Sequence, residues 1–399
     1  MKTSIRLLGG ALAAALFAAP VLADTVKIAL IHGTSGSSLD AYSKQDETGF
    51  EMGLEYATNN TMEVNGHKIE LIHKDTQFKP DVARAVLAEA YGDDDALIAV
   101  GGTSSGVTKA MLPIAKQYKR ILLVEPAVAD SLTGKESNRY VFKTSRNSSQ
   151  DMQAQALSLN PDKDLYVATL AQDYSFGRDG IAAFKSALKD TGATVVDEEY
   201  VPLKTTDYTA AAQRMFAALK DKPGRKVILI YVAGGSDPLS KIAGMDPGRY
   251  GIELSAGGNI LPAMVSYKAV PGMLGATYYY YGIPKNPIND WLVTEHEKRF
   301  GTPPDFFTAG GMAAALAVVK ALKESPSLKT DDLIKTMAGM SWDTPKGEMT
   351  FRASDHQAMQ DMYAFKIKVD PNVKWAVPEL VRVIKPSEMD IPVGREDKN

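Results

Sequence analysis

The sequence predicts an α/β protein made of two doubly wound parallel-sheet lobes joined by a multi-strand hinge. Two observations carry the prediction. Short apolar runs alternate with helical periodicity from Asp24 onward, and the alternation runs through twice. A chain of 399 residues is also longer than one hydrophobic core fills comfortably, which argues for two domains.

In the first series, Val26 to Ile31 reads as a strand, Tyr42 to Asn59 as a helix, Ile69 to His73 as a strand and Pro80 to Tyr91 as a helix. Ala96 to Val100 is again a strand, Thr108 to Gln117 a helix and Ile121 to Val124 a strand. Such units imply right-handed βαβ crossovers and a parallel sheet. The second series follows Tyr140 to Thr144: strand Asp164 to Thr169, helix Gly177 to Thr191, strand Thr194 to Tyr200, helix Tyr208 to Lys220 and strand Val227 to Val232. Gly275 to Ile283 reads as an extended aromatic segment, its tyrosines 278 to 281 divided between core and crossover strand by the alternation of a strand. Helices at Ile288 to Phe300 and Phe307 to Lys323 have apolar faces with no strand beside them, so they are expected to pack back on the first lobe. The tail from Pro386 reads as a loosely held end.

Residues 1–23 have the form of a secretory signal peptide. Lys2 and Arg6 precede an apolar run from Leu7 to Ala19, and Pro20 to Ala23 supplies small residues at the cleavage site. No second apolar run of that kind stands out, so the chain is expected to be exported and soluble. Removing the leader takes two of 45 basic residues and none of 48 acidic ones, leaving a net charge more negative than −3. Basic runs interleaved with aromatics are absent, which excludes a nucleic-acid partner. Cysteine is absent too, which excludes thiolate metal sites and cysteine nucleophiles.

Gly101-Gly102-Thr103-Ser104-Ser105-Gly106 follows the strand Ala96 to Val100 and precedes a helix. That is the carboxyl edge of a parallel strand, where open α/β sheets take ligands, and the hydroxyls of Thr103, Ser104 and Ser105 can serve a carboxylate. The same residues fit Gly-x-Ser-x-Gly, the nucleophile elbow of a secreted serine hydrolase, with Ser104 as nucleophile and His296 or His356 as partner. A polar βα loop with no role is the third reading. A P-loop fails, because Val107 stands where the lysine is required. The five histidines lack metal-site spacing, and Asp93 to Asp95 reads as a solvated turn. Asp173 to Gly177 repeats the strand–loop–helix geometry in the second series; Tyr174 and Phe176 can cover a ligand, or the segment is a capping turn.

At these loops the sequence resembles the leucine/isoleucine/valine-binding proteins, the branched-chain amino acid type of periplasmic receptor. The likeness covers Val26 to Ile31, Ala41 to Gly49, the Gly-Gly-Thr-Ser-Ser loop, Glu125 to Thr133 and Asp173 to Gly177. It implies a type I periplasmic-binding fold with a first lobe of residues 24–144 plus 280–345 and a second of 145–279 plus 346–399. It also implies that a solute binds between the lobes, with no cofactor and no covalent chemistry. The resemblance assigns the ligand's carboxylate to Ser105 and to the turn at Ala127, where Ala129 lacks the family's threonine hydroxyl. It places pocket tyrosines at Tyr42 and Tyr174 and a third pocket position at Ser236. Where relatives hold the ammonium with an acid, Ser255 to Asn259 offers only Asn259 and backbone; Ser104 replaces a disulfide cysteine. Without that acid, a small carboxylate with no ammonium is the expected ligand, an aromatic or branched aliphatic acid, with Phe307 among its apolar walls. The implied partners are an inner-membrane ABC permease and its ATPase, with the protein monomeric in the periplasm. A sensor subunit using the same cleft remains an alternative.

Overall fold

Strands buried on both faces need unbroken apolar sequence, and the centre of the first sheet is made of such strands. In a computed structural model, which describes residues 25–234 and 237–394, the chain begins with β1 (Thr25–His32), α1 (Asp40–Thr58), β2 (Glu63–Val64), β3 (His67–Asp75) and α2 (Pro80–Gly92). β4 (Ile98–Gly101), α3 (Ser105–Lys109), α4 (Leu112–Tyr118), β5 (Ile121–Val124) and β6 (Val141–Lys143) complete a sheet of order β2-β3-β1-β4-β5-β6, parallel except for the β2–β3 hairpin. The signal-peptide reading of residues 1–23 lies outside the described residues. The helix expected over Thr108 to Gln117 is two helices, broken just before Pro113, whose missing N–H cannot continue an i→i−4 ladder.

The second series gives α5 (Ser148–Ser158), β7 (Leu165–Gln172), α6 (Ser175–Leu188), β8 (Thr194–Val201), α7 (Thr209–Leu219), β9 (Arg225–Tyr231), α8 (Pro238–Ala243), β10 (Ile252–Ala256) and β11 (Leu274–Thr277). Its parallel sheet runs β10-β9-β7-β8. In both sheets the strand order reverses beside the first strand, β1 or β7. Loops on the two sides of a reversal diverge and leave a crevice at the carboxyl edge.

The chain then forms α9 (Pro287–Phe300), α10 (Phe306–Glu324), α11 (Thr330–Met337), β12 (Ser341–Thr344), β13 (Gly347–Phe351), β14 (Ala358–Met359), β15 (Met362–Lys368) and β16 (Val377–Ile384). β15 and β16 extend β11 antiparallel, and Phe365 and Ile367 enter the second core. The segment 346–359, expected in the second lobe, packs into the first. β13 pairs with β12 and β14, and Trp342, Met349, Phe351 and Ala358 share a core with Ile28, Val100 and Leu123. A hairpin cannot be divided between lobes without losing its ladder, so the last crossing falls near 360. The tail also departs from expectation: Met389 and Ile391 are buried, and Arg352 donates to the carbonyls of Ile391 and Pro392.

The tyrosine segment is extended only to Thr277. There the Thr277 hydroxyl donates to the Tyr279 carbonyl and accepts from the Tyr279 N–H, a local turn that ends the strand. Tyr278, Tyr279 and Tyr280 are consequently all buried, with no alternation.

α10 is long and apolar enough in composition to cross a membrane, yet it is the buried central helix of the first lobe. It lies against α1 at glycines. A Cβ on Gly49 would overlap the Thr308 carbonyl, and one on Gly311 would overlap the Asp46 carbonyl. Alanine improves helix propensity by about 1 kcal/mol, whereas forcing volume into a packed contact costs about 1–3 kcal/mol, and more where backbone must move. Gly311→Ala is therefore expected to destabilise the protein by about 1–2 kcal/mol net, read as a lower urea midpoint with unchanged slope. An unchanged or raised midpoint would show that the helices can separate freely.

Candidate ligand cavity between the two sheets

A cavity lies where the carboxyl edges of the two parallel sheets face each other. Its wall is drawn from the loops after β1, β4 and β5 on one side and after β7, β9 and β10 on the other. Its volume is about 90 Å3.

The Gly-Gly-Thr-Ser-Ser loop reaches it because Gly101 has φ +144 and a Cβ there would overlap the Ile31 carbonyl, so the chain turns flat against β1. Thr103 and Ser105 face the cavity. The Ser43 hydroxyl donates to the Gly33 carbonyl (2.6 Å), so in the 2.6 Å contact between Ser43 and Thr103 the threonine is the donor. Thr103 therefore presents only lone pairs. Ser105 Oγ accepts from the Ala129 N–H at 3.2 Å and keeps its own proton to give.

Two residues assigned to the carboxylate turn out to be occupied elsewhere. The Ala127 N–H donates to the Gly102 carbonyl (3.0 Å), so Ala127 contributes wall and no backbone donor. Ala129 is fully buried behind Ser105 and does not border the cavity. Ser104 does not border it either. It caps α3 in an ordinary extended conformation (φ −90, ψ 126), without the strain of a nucleophile elbow. His296 Nδ1 contacts the Thr302 carbonyl, and His356 stacks on Phe142 with Nδ1 at the Val141 carbonyl. Ser236 lies outside the described residues.

Tyr42, Tyr174, Phe176, Asn259 and Phe307 all border the cavity. The Tyr42 ring meets Phe307 at 4.4 Å between centroids. Its hydroxyl accepts from the Gly234 N–H (2.8 Å) and donates to Asn259 Oδ1 (3.3 Å), so one phenol spans from the first lobe to two loops of the second. Phe176 stacks between Tyr174 (5.6 Å) and Tyr231 (4.1 Å). Burial raises the Tyr42 and Tyr174 hydroxyls above their ordinary pKa, so both remain neutral donors.

The charged residues were not anticipated. Arg146, between β6 and α5, and Asp151, on α5, border the cavity. Arg146 Nε donates to Asp151 Oδ1 (3.1 Å), and the Tyr231 hydroxyl donates to Asp151 Oδ2 (3.2 Å). The guanidinium lies over the rings of Tyr278 (4.6 Å) and Phe306 (5.0 Å). Burial opposes its charge, but the Asp151 carboxylate together with the Tyr278 and Tyr231 hydroxyls outweighs that and holds its pKa above the ordinary value. Arg146 is 7% exposed, and its Nη1 is buried with no hydrogen-bond partner among the described residues. Behind the wall, Lys143 Nζ donates to the Val128 and Ala129 carbonyls (2.8 and 3.1 Å) and fixes the 126–129 turn. Burial pushes its pKa down to about 7. Among the described residues no cluster of histidine and acidic side chains could hold a metal ion.

The same architecture occurs in known proteins. The chain is 61% identical to an ABC-type branched-chain amino acid transporter protein of Rhodopseudomonas palustris, with TM-score 0.85 over 93% of this chain and 100% of that one. It is 26% identical to a solute binding protein of an ABC transporter from R. palustris BisB5, solved in complex with 3,4-dihydroxy benzoic acid, with TM-score 0.79 over 91% and 98%. Leu/Ile/Val-binding protein homolog 6 of Brucella melitensis is 26% identical over 361 residues, 87% of this chain and 89% of the relative. The model of the periplasmic binding protein family matches residues 25–372, nearly the whole of the paired-lobe structure, and the chain belongs to that family.

Proposed function

We propose that this protein captures a small carboxylate in the cavity between its lobes and delivers it to an ABC importer. As a periplasmic binding protein of an ABC transporter it works in the periplasm, with a permease and its ATPase as partners, and it acts as a monomer. The observation that carries the ligand reading is the composition of the cavity wall. Ser105 and a buried arginine supply donors, and aromatic rings from both lobes supply apolar faces. A carboxylate on a ring or a branched chain satisfies both. The relative that holds 3,4-dihydroxy benzoic acid supports an aromatic acid.

A second reading, an α-amino acid, is favoured by the relatives named for branched-chain amino acids and by Asp151, which stands in the wall although the stretch Ser255 to Asn259 has no acid. Its two oxygens are already engaged by Arg146 and Tyr231, which favours the ligand without an ammonium. Calorimetry separates the two. Benzoate-type or short branched acids are expected to bind at micromolar or tighter affinity; sub-micromolar leucine or valine binding with no response to those acids would reverse the assignment.

Capture requires the lobes to open and close about three crossings. Solution scattering is expected to show a smaller radius of gyration with saturating ligand, and an unchanged radius would count against closure.

No catalysis is proposed, because Ser104 does not line the cavity and the candidate histidines contact the carbonyls of Thr302 and Val141. A fluorophosphonate is expected to leave the protein unlabelled. Labelling that disappears in Ser104→Ala would restore the hydrolase.

A further inference from the structure

We propose that Arg146 is the anion anchor of this cavity and Asp151 its permanent counter-charge, a pairing that selects carboxylates lacking an ammonium group. The inference rests on the carboxylate reading above and deepens it, because it names the charged contact and the rule of exclusion.

A guanidinium keeps its charge at any ordinary pH and carries five N–H donors in a fixed plane. Around Arg146 the plane is accounted for on several sides. Nε is spent on Asp151, and the faces lie against Tyr278 and Phe306, with Phe307 at 5.9 Å. What the protein leaves unmade is the bond from Nη1, in a side chain that is more than nine-tenths buried and borders the cavity. A buried charged donor without an acceptor is costly, and a charge-assisted bond is among the strongest a ligand can make. The missing partner is an acceptor, and an anionic one gains most.

Asp151 decides the rest. Its carboxylate accepts from Arg146 on one oxygen and from the Tyr231 hydroxyl on the other, so its charge is already compensated before an ammonium arrives. Thr103 offers a neutral lone pair, suited to a ligand hydroxyl and too weak to hold a buried full charge. With Arg146 and Asp151 cancelling each other in the empty site, a monoanion brings the only net charge and finds an unused donor.

The test uses benzoate, isovalerate, the neutral isostere benzamide and the zwitterion phenylglycine, measured by calorimetry on the full mature protein. Wild type is expected to bind at least one of the two acids about 100-fold more tightly than benzamide or phenylglycine. Arg146→Gln alone leaves Asp151 unpaired and can fail to fold. The double variant Arg146→Gln, Asp151→Asn removes both charges together, and its fold is checked by circular dichroism and thermal melting. In it the preference for acid over amide is expected to vanish. If acids bind wild type and the double variant keeps the preference, the anchor is wrong and the carboxylate reading stands. If wild type binds phenylglycine better than either acid, the exclusion rule is wrong. If neither acid binds wild type at all, the carboxylate reading and the anchor fall together.

Discussion

The backbone of α1 lies directly on the backbone of α10, glycine against carbonyl at Gly49 and Thr308 and again at Gly311 and Asp46. The first-lobe side of the cavity follows from this contact. Tyr42 and Phe307 sit in the opening turns of the two helices, and their rings can meet at 4.4 Å only because the helices approach this closely nearby. Larger residues at the crossing would push the helices apart and open the wall that Tyr42 closes. Packing in the core and shape at the site are thus one constraint, set by the absence of side chains.

The protein consumes most of its own polar groups in building the cavity. The 126–129 turn is tied by the Ala127 N–H to Gly102, by the Ala129 N–H to Ser105, and by Lys143 to two of its carbonyls. The Ser145 hydroxyl donates to the Ala127 carbonyl as well. A turn so thoroughly bonded is rigid, and it leaves few groups for a ligand. Selectivity then rests on those few, in keeping with the general form of small-molecule sites: apolar walls and a small number of oriented polar contacts.

The strands were legible because buried parallel strands such as Ile98 to Gly101 and Ile121 to Val124 are continuously apolar between turn signals. The cavity-facing loops were legible because the carboxyl edge of a parallel sheet is a rule of position, which is how Thr103, Ser105, Tyr174 and Phe176 could be singled out. α5 was not. Its buried residues include Ser148, Ser149, Gln150 and Gln155, which pair with other polar groups, so no apolar periodicity marks it. One signal was available: Asn147 and Gln150 form a reciprocal capping box, legible as Asn-Ser-Ser-Gln. Arg146 and Asp151 went unrecognised along with that helix, and the role of a buried ion pair depends on what surrounds it. Backbone commitments such as the Ala127 N–H are invisible to sequence altogether, since any residue type can make them.

The Tyr42 hydroxyl joins α1 to Gly234 and Asn259 through bonds that involve no solute atom. Such a tie favours the shut form equally for every occupant, by about 1 kcal/mol for an ordinary hydrogen bond, or roughly fivefold in affinity. It therefore lengthens residence without sharpening discrimination between one molecule and another. The same tie must part before cargo can leave, so whatever it adds to retention it also adds to the work of unloading.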